Sequence, residues 1–263
     1  MQKWLETPCE VILLKVKLLR VTDDGVNLVA NSARVSGVPE SMDEKSIVRM
    51  IVENDYSSAL EHIVFTFDIS DISIAISREL LEHRIASHTA RSTRYNIEEG
   101  FGFVNPLEYI PEIETIVGKD AEKEFLKAME DARKHYIRIY RILEKYSNSI
   151  AKEVARYVLP VAAHTHYVWT VNARSLINFL MLRLCVRAAP EMRELAKKIR
   201  EIVVEIYPEI FSGIGCRGYT LGICPENEAR PKNCPYRKLI KTKKEVKKQT
   251  KIRDISKDLY HYL

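Results

Sequence analysis

No stretch of this chain approaches the roughly 18 apolar residues that a membrane-spanning helix requires, and the first residues show no signal-peptide pattern. A cytoplasmic protein without a membrane partner is therefore expected. No glycine-rich phosphate loop follows a strand as in dinucleotide or P-loop sites, so any nucleotide must be held another way. Internal repeats and a convincing linker are missing too. The five cysteines never fall into a CxxC pair, which excludes a zinc-ribbon reading.

What is present is ordinary for a globular protein, with 46% hydrophobic and 29% charged residues over 263 positions, enough to bury a large core. The net charge of +5 is unevenly placed: residues 237–253 carry nine basic residues and one glutamate, leaving the remainder at −3. A basic surface for nucleic acid is thus excluded from the body and confined to the tail, which is either solvated or an arm for nucleic acid or a neighbouring subunit.

Residues 9–19 read as an opening strand, and Asn31 to Gly37 as a loop or helix start. Ser41 can cap a helix running to about Asn54. Ile63, Phe65, Phe67 and Ile69 alternate with more polar neighbours, the clearest strand signal in the chain. Asp120 to Tyr146 carries Phe125, Met129, Ala132, Tyr136, Ile139 and Leu143 at near-heptad spacing, a helix packed on another helix within the protomer. A short helix covers 153–157, a strand His164 to Val171, and Pro190 opens a helix that Pro208 stops. Strands and helices mix without βαβ alternation, so the expected class is α+β, a mixed sheet packed with long helices.

The run Arg78 to Tyr95, RELLEHRIASHTARSTRY, places four arginines and two histidines in eighteen residues. Ile72, Ile76, Leu80 and Leu81 recur at helical spacing, with Ser70 or Asp71 as N-cap, so a helix delivers His83 and Arg84 to a loop of hydroxyls and guanidiniums. Such a set grips oxyanions, although a solvated helix end with an Arg78–Glu82 pair would read similarly. Asn172 caps a second helix, reaching Ala188. On it Arg174 and Asn178 are i,i+4 neighbours, as are Arg183 and Arg187, and nine positions set Arg174 half a turn from Arg183. That suits a helix buried in an assembly with a ligand pocket on each side, or a helix of which one pair merely faces solvent.

Several of these segments resemble the flavin-dependent thymidylate synthases. His83-Arg84 with Ser87, Ser92, Arg94 and Tyr95 is similar to that family's Arg-His-Arg, seven residues, Ser signature. Ala33 to Ser36, Leu60 to Phe65, Glu153 to Arg156 with Leu159-Pro160, and WTVNARSLINFL (Trp169 to Leu180) are similar as well. The resemblance runs from about Ser32 to Ile206. It implies methylation of dUMP to dTMP, with methylenetetrahydrofolate as carbon donor and FAD, reduced by NADPH, as hydride donor. It also implies a homotetramer whose active sites are shared between subunits. Carried over by position, Arg183 activates the pyrimidine. Arg91, Ser92, Thr93, Arg94 and Arg156 join it in binding substrate. Ser36, Ser58, His83, Arg84, Asn172, Arg174 and Asn178 fall on flavin positions. Three residues depart from the pattern: Glu82 stands for the first signature arginine, Glu79 for a glutamine and Ala90 for a glutamate. An anion in place of a cation beside a phosphate reverses a Coulomb energy of about 1–4 kcal/mol. The alternatives are a diverged paralogue with a flavin or nucleotide pocket for another pyrimidine, and a non-catalytic nucleotide- or nucleic-acid-binding protein. The division expected is a synthase-like domain at 1–210, a Cys-rich extension at 211–236 and the basic tail at 237–263.

Within that extension lie Cys216, Cys224 and Cys234, and Cys185 sits on the two-sided helix. Four thiolates suit zinc or an iron–sulfur cluster; disulfides or free thiols are the competing expectation.

Overall fold

In this computed structural model the described residues are 11–96, 102–110, 112–226 and 230–250. In chain order the elements are β1 (Lys15–Val21), α1 (Gly25–Val35), α2 (Glu44–Glu53), β2 (Val64–Ser73), α3 (Ile74–Leu81), β3 (Ser87–Ala90), α4 (Glu112–Val117) and α5 (Asp120–Leu143). They continue with α6 (Asn148–Ala155), β4 (His164–Asn172), α7 (Ala173–Arg183), α8 (Pro190–Ile206), α9 (Pro208–Phe211), α10 (Arg217–Leu221) and α11 (Lys243–Thr250). The class is α+β. One four-stranded sheet runs β1-β2-β4-β3, and all three of its pairings are antiparallel where a mixed sheet was expected.

The alternation in β2 and β4 explains the layering. Phe65, Phe67, Ile69, Tyr167, Trp169 and Val171 point to one side and are buried, as period-two patterning requires. They pack with Leu176, Phe179 and Leu180 of α7 and Leu195, Ile199 and Val203 of α8 in one core. The other sheet face is wetter and is laced across the strands by Thr66–Thr170 at 3.0 Å and Asp68–His166 at 2.6 Å. α5 and α6 build a second, smaller core from Tyr136, Ile137, Tyr140, Ala151 and Ala155, the within-protomer helix pairing the long amphipathic stretch suggested.

Several element boundaries differ from the sequence reading. Asp43, not Ser41, caps α2, its carboxylate accepting from the Ser46 N–H at 3.0 Å. Asn31 to Val35 is the second half of α1, which Gly37 closes in the left-handed region at φ 98°. The helix that carries Glu79 is capped by Ser73 rather than Ser70 or Asp71. The cause is a β-bulge at Asp71 (φ 62°), which shifts the register between Ser70 and Ile72 and carries β2 on to Ser73, four residues beyond the Ile69 at which the alternation ended. Its carboxylate holds Lys15 and His164, each at 3.2 Å. Pro208 does more than stop α8, since it opens α9. Gly213, Gly215 and Gly218 have dinucleotide-loop spacing but follow α9 instead of a strand and lead into a five-residue helix, so they make no phosphate loop. Of the opening strand, residues 9 and 10 lie outside the described residues, as does the basic tail from 251.

Candidate active site

α7 begins as the sequence predicts: the Asn172 side chain accepts from the Ser175 N–H at 2.8 Å. It ends earlier, at Arg183, and not at Ala188. A turn closed by the Ala188 N–H on the Cys185 carbonyl follows, and Ala189 is extended because the residue before Pro190 disfavours the helical region. Arg187 is therefore not a helical neighbour of Arg183; its guanidinium leaves for Glu226 at 2.5 Å. Arg174 and Arg183 do remain on one helix, half a turn apart.

Arg183 is the most heavily engaged of the candidate residues. Its side chain is only 17% exposed. Nη1 donates to Glu79 Oε2 at 2.8 Å, Nη2 to the Glu79 carbonyl at 3.3 Å, and Nε to His83 Nε2 at 3.0 Å. Glu82 adds a longer ion pair with Arg183 at 3.7 Å, in place of the Arg78–Glu82 pair that the sequence suggested. The Nε hydrogen bond requires an unprotonated His83 Nε2. Burial, then the Arg183 charge, then His88 lower the His83 pKa to about 4, so the imidazole is neutral. His83 also meets the edge of Phe179, centroids 4.9 Å apart. His88, on β3, reaches the His83 carbonyl through Nε2 at 3.1 Å. Its Nδ1 and the Trp169 indole nitrogen are buried without a hydrogen-bond partner among the described residues.

A second group forms beyond β3. Arg94 and Arg156 both reach Glu153, at 2.9 and 2.5 Å. The two guanidiniums, Arg156 first, hold the Glu153 pKa below its ordinary value. Ser92 accepts from the Arg94 N–H at 3.3 Å, Thr93 is half-buried beside it, and Arg91 donates its backbone N–H to the His166 carbonyl at 2.8 Å. Two guanidiniums sharing one carboxylate keep net positive charge and spare N–H donors, a fit for a phosphate.

The flavin candidates occupy other places. Arg174 pairs with Glu61 at 2.6 Å and Asn178 accepts from Arg217 at 3.2 Å. Ser58 lies exposed in the 3-10 turn Ser57–His62, Ser36 caps the C-terminus of α1, and Arg84 is exposed after α3. As a donor set they suit FAD: Arg84 and Arg174 match a pyrophosphate, and the amides and hydroxyls of Asn172, Asn178, Ser36 and Ser58 match sugar and ring heteroatoms. One protomer thus unites Arg183 with His83, and Arg94 with Arg156; of the other flavin candidates Asn172, Arg174 and Asn178 belong to α7 and its cap, Ser58 sits in the turn that supplies Glu61 to Arg174, and Ser36 and Arg84 lie at the ends of α1 and α3. Glu61, Glu153 and Arg217 complete these groups and were not singled out from the sequence. Glu61 and Glu153 sit inside the segments quoted for the resemblance without a role of their own; the Glu153–Arg156 pair is local, three residues apart, whereas the Arg94–Glu153, Arg174–Glu61 and Arg217–Asn178 contacts span 39 to 113 residues.

The four candidate metal ligands Cys185, Cys216, Cys224 and Cys234 are free thiols. Among the described residues no three His, Cys, Asp or Glu side chains gather closely enough to hold a metal ion. Cys224 is held by pairing with the 241–243 backbone and packs on Gly218, while Cys234 lies on its own turn beside Arg230. Burial first, and then Cys216, Glu226 and Cys224, raise the Cys185 pKa.

Among the described residues no helix is long and apolar enough to cross a membrane. The sequence profile of a family described as thymidylate synthase complementing protein matches residues 17–209. A protein of Saccharolobus solfataricus named flavin-dependent thymidylate synthase is 37% identical over 231 residues, covering 82% of this chain and 84% of its own. Proteins with the same name from Clostridium tetani and Pyrococcus furiosus are 33% and 35% identical, covering 81% and 80% of this chain and 91% and 83% of their own.

Proposed function

Because the chain belongs to the flavin-dependent thymidylate synthase family, we propose that it makes dTMP from dUMP, taking the carbon from methylenetetrahydrofolate and using NADPH as reductant. FAD, when bound, supplies the hydride, and Arg84, Arg174, Asn172, Asn178, Ser36, Ser58 and His83 are the residues that would hold it. Arg94 and Arg156, with Arg91, Ser92 and Thr93 beside them, take the nucleotide. An arriving phosphate replaces Glu153 as the shared partner of the two guanidiniums.

Arg183 serves the pyrimidine. A guanidinium at the ring edge stabilises the N3-deprotonated form, which raises electron density at C5 and removes the need for an enzyme nucleophile. The neutral His83 suits this task, since it receives the Nε hydrogen bond without adding a second positive charge. The protein acts as a homotetramer in which neighbouring copies bring the flavin set to the nucleotide set. The exposed Tyr95, Tyr157 and Ile85 flanking these residues support a partner surface there.

The observation that carries this reading is the meeting of two distant segments at one guanidinium: Glu79 and His83 reach Arg183 across 104 and 100 residues. Tritium release from 5-tritiated dUMP with NADPH and methylenetetrahydrofolate tests it, alongside a flavin absorption spectrum of the purified protein. A colourless protein that releases no tritium even with added FAD would overturn it.

A further inference from the structure

Arg183 cannot present a free cation while its guanidinium is held as described. Glu79 takes Nη1 with a charged hydrogen bond of 2.8 Å and Nη2 with its carbonyl, His83 takes Nε, and Glu82 stands 3.7 Å from Nη2. With His83 neutral, one positive and two negative charges leave the cluster at a formal −1.

The placement of the two acids is unfavourable on local grounds. Glu79 lies in the last turn of α3 and Glu82 is its C-cap, where the helix dipole is negative and disfavours carboxylates. Arg183 is itself the last residue of α7, so its cation is the group that offsets these negative ends. Exposure separates fixed from movable partners. The Glu79 and Glu82 side chains are 36% and 75% exposed against 17% for Arg183. Either carboxylate can swing into water; the arginine stays where His83 anchors it.

We propose that Glu79 and Glu82 form a carboxylate clamp that parks Arg183 in the ligand-free protein, and that the pyrimidine nucleotide opens it by displacing Glu79 from the guanidinium. The proposal rests on Arg183 as the group that meets the pyrimidine. The ring competes with Glu79 for the same N–H donors, so the clamp weakens nucleotide binding and ties the charging of the site to substrate arrival. His83 keeps its hydrogen bond throughout, and His88 and Glu191 are the other titratable groups facing the cluster.

The test compares the full-length wild type with Glu79→Gln and Glu82→Gln. dUMP affinity is read by calorimetry, and the Arg183 Nε–H resonance by nitrogen-15 NMR in the free and dUMP-bound proteins. Glu79→Gln keeps the side-chain shape and should bind dUMP about tenfold more tightly, the worth of one charge-assisted hydrogen bond. The more exposed Glu82→Gln should gain about threefold. The Arg183 resonance of the free wild type should move on adding dUMP, whereas in Glu79→Gln it should already be displaced before dUMP is added. Equal or weaker dUMP binding by both variants, with the wild type binding normally, would overturn the clamp and leave the proposed activity standing. No dUMP binding by any of the three proteins would instead remove the activity on which the clamp rests.

Discussion

Glu191, the second residue of α8, accepts both the backbone N–H and the hydroxyl of Ser73, each at 2.7 Å, across 118 residues of sequence. Ser73 ends β2 and caps α3, so this buried carboxylate fixes the point from which α3 sets out toward Glu79 and His83. Burial, partly countered by the two Ser73 hydrogen bonds, raises the Glu191 pKa above the ordinary carboxylate value. Glu191→Ala leaves two buried donors unpaired and should lower stability by about 2–3 kcal/mol in urea unfolding. The raised pKa means that ionising Glu191 costs the fold stability: its contribution is fullest below the unfolded-state pKa and declines as pH rises through the folded one. Glu191→Gln should abolish that decline and remain within about 1 kcal/mol of the parent.

His83 has the opposite pH signature. With a folded pKa of about 4 against the ordinary 6.5, it favours the fold when neutral, and stability is lost as pH falls from about 6.5 toward 4. Imidazole NMR should show His83 neutral at pH 5.5; a His83 that titrates near 6.5 would mean that Arg183 does not rest on it.

Arg183→Ala should lower kcat by at least about a hundredfold, the scale of losing one aimed charge donor, while the flavin remains bound by absorbance. Because the Arg183 charge is the second cause of the depressed His83 pKa, the same variant should move that pKa upward. Retained turnover would refute the activating role.

Gly25 is a packing position. A Cβ there would meet the Tyr207 hydroxyl at 2.7 Å and Ile63 Cδ1 at 2.8 Å. The same hydroxyl accepts from the Gly25 N–H at 3.0 Å and donates to the Thr22 carbonyl. Gly25→Ala should cost about 1–3 kcal/mol by forced displacement of Tyr207, measurable as a lower unfolding midpoint with the slope unchanged.

The local signals in the chain carried far. The alternation of Ile63 to Ile69, where parity sets each side chain's face, and the aromatic and β-branched content of 164–171 located the two central strands. Asn172 was legible as a cap, since an Asn side chain satisfies the helix's orphan N–H groups wherever the helix starts. The half-turn separation of Arg174 and Arg183 followed from helix geometry alone. The motif segments likewise disclosed the family without any coordinates.

Tertiary structure decided what these residues touch. The bulge at Asp71 moved the start of α3 to Ser73, the turn before Pro190 ended α7 at Arg183, and packing kept the four cysteines from gathering into a metal-holding group. Most consequential, Arg183 came to rest on Glu79, a pairing 104 residues apart for which the chain order carries no cue. Periodicity and capping are encoded within a few residues. Long-range ion pairs exist only once strands and helices have fixed where distant side chains meet.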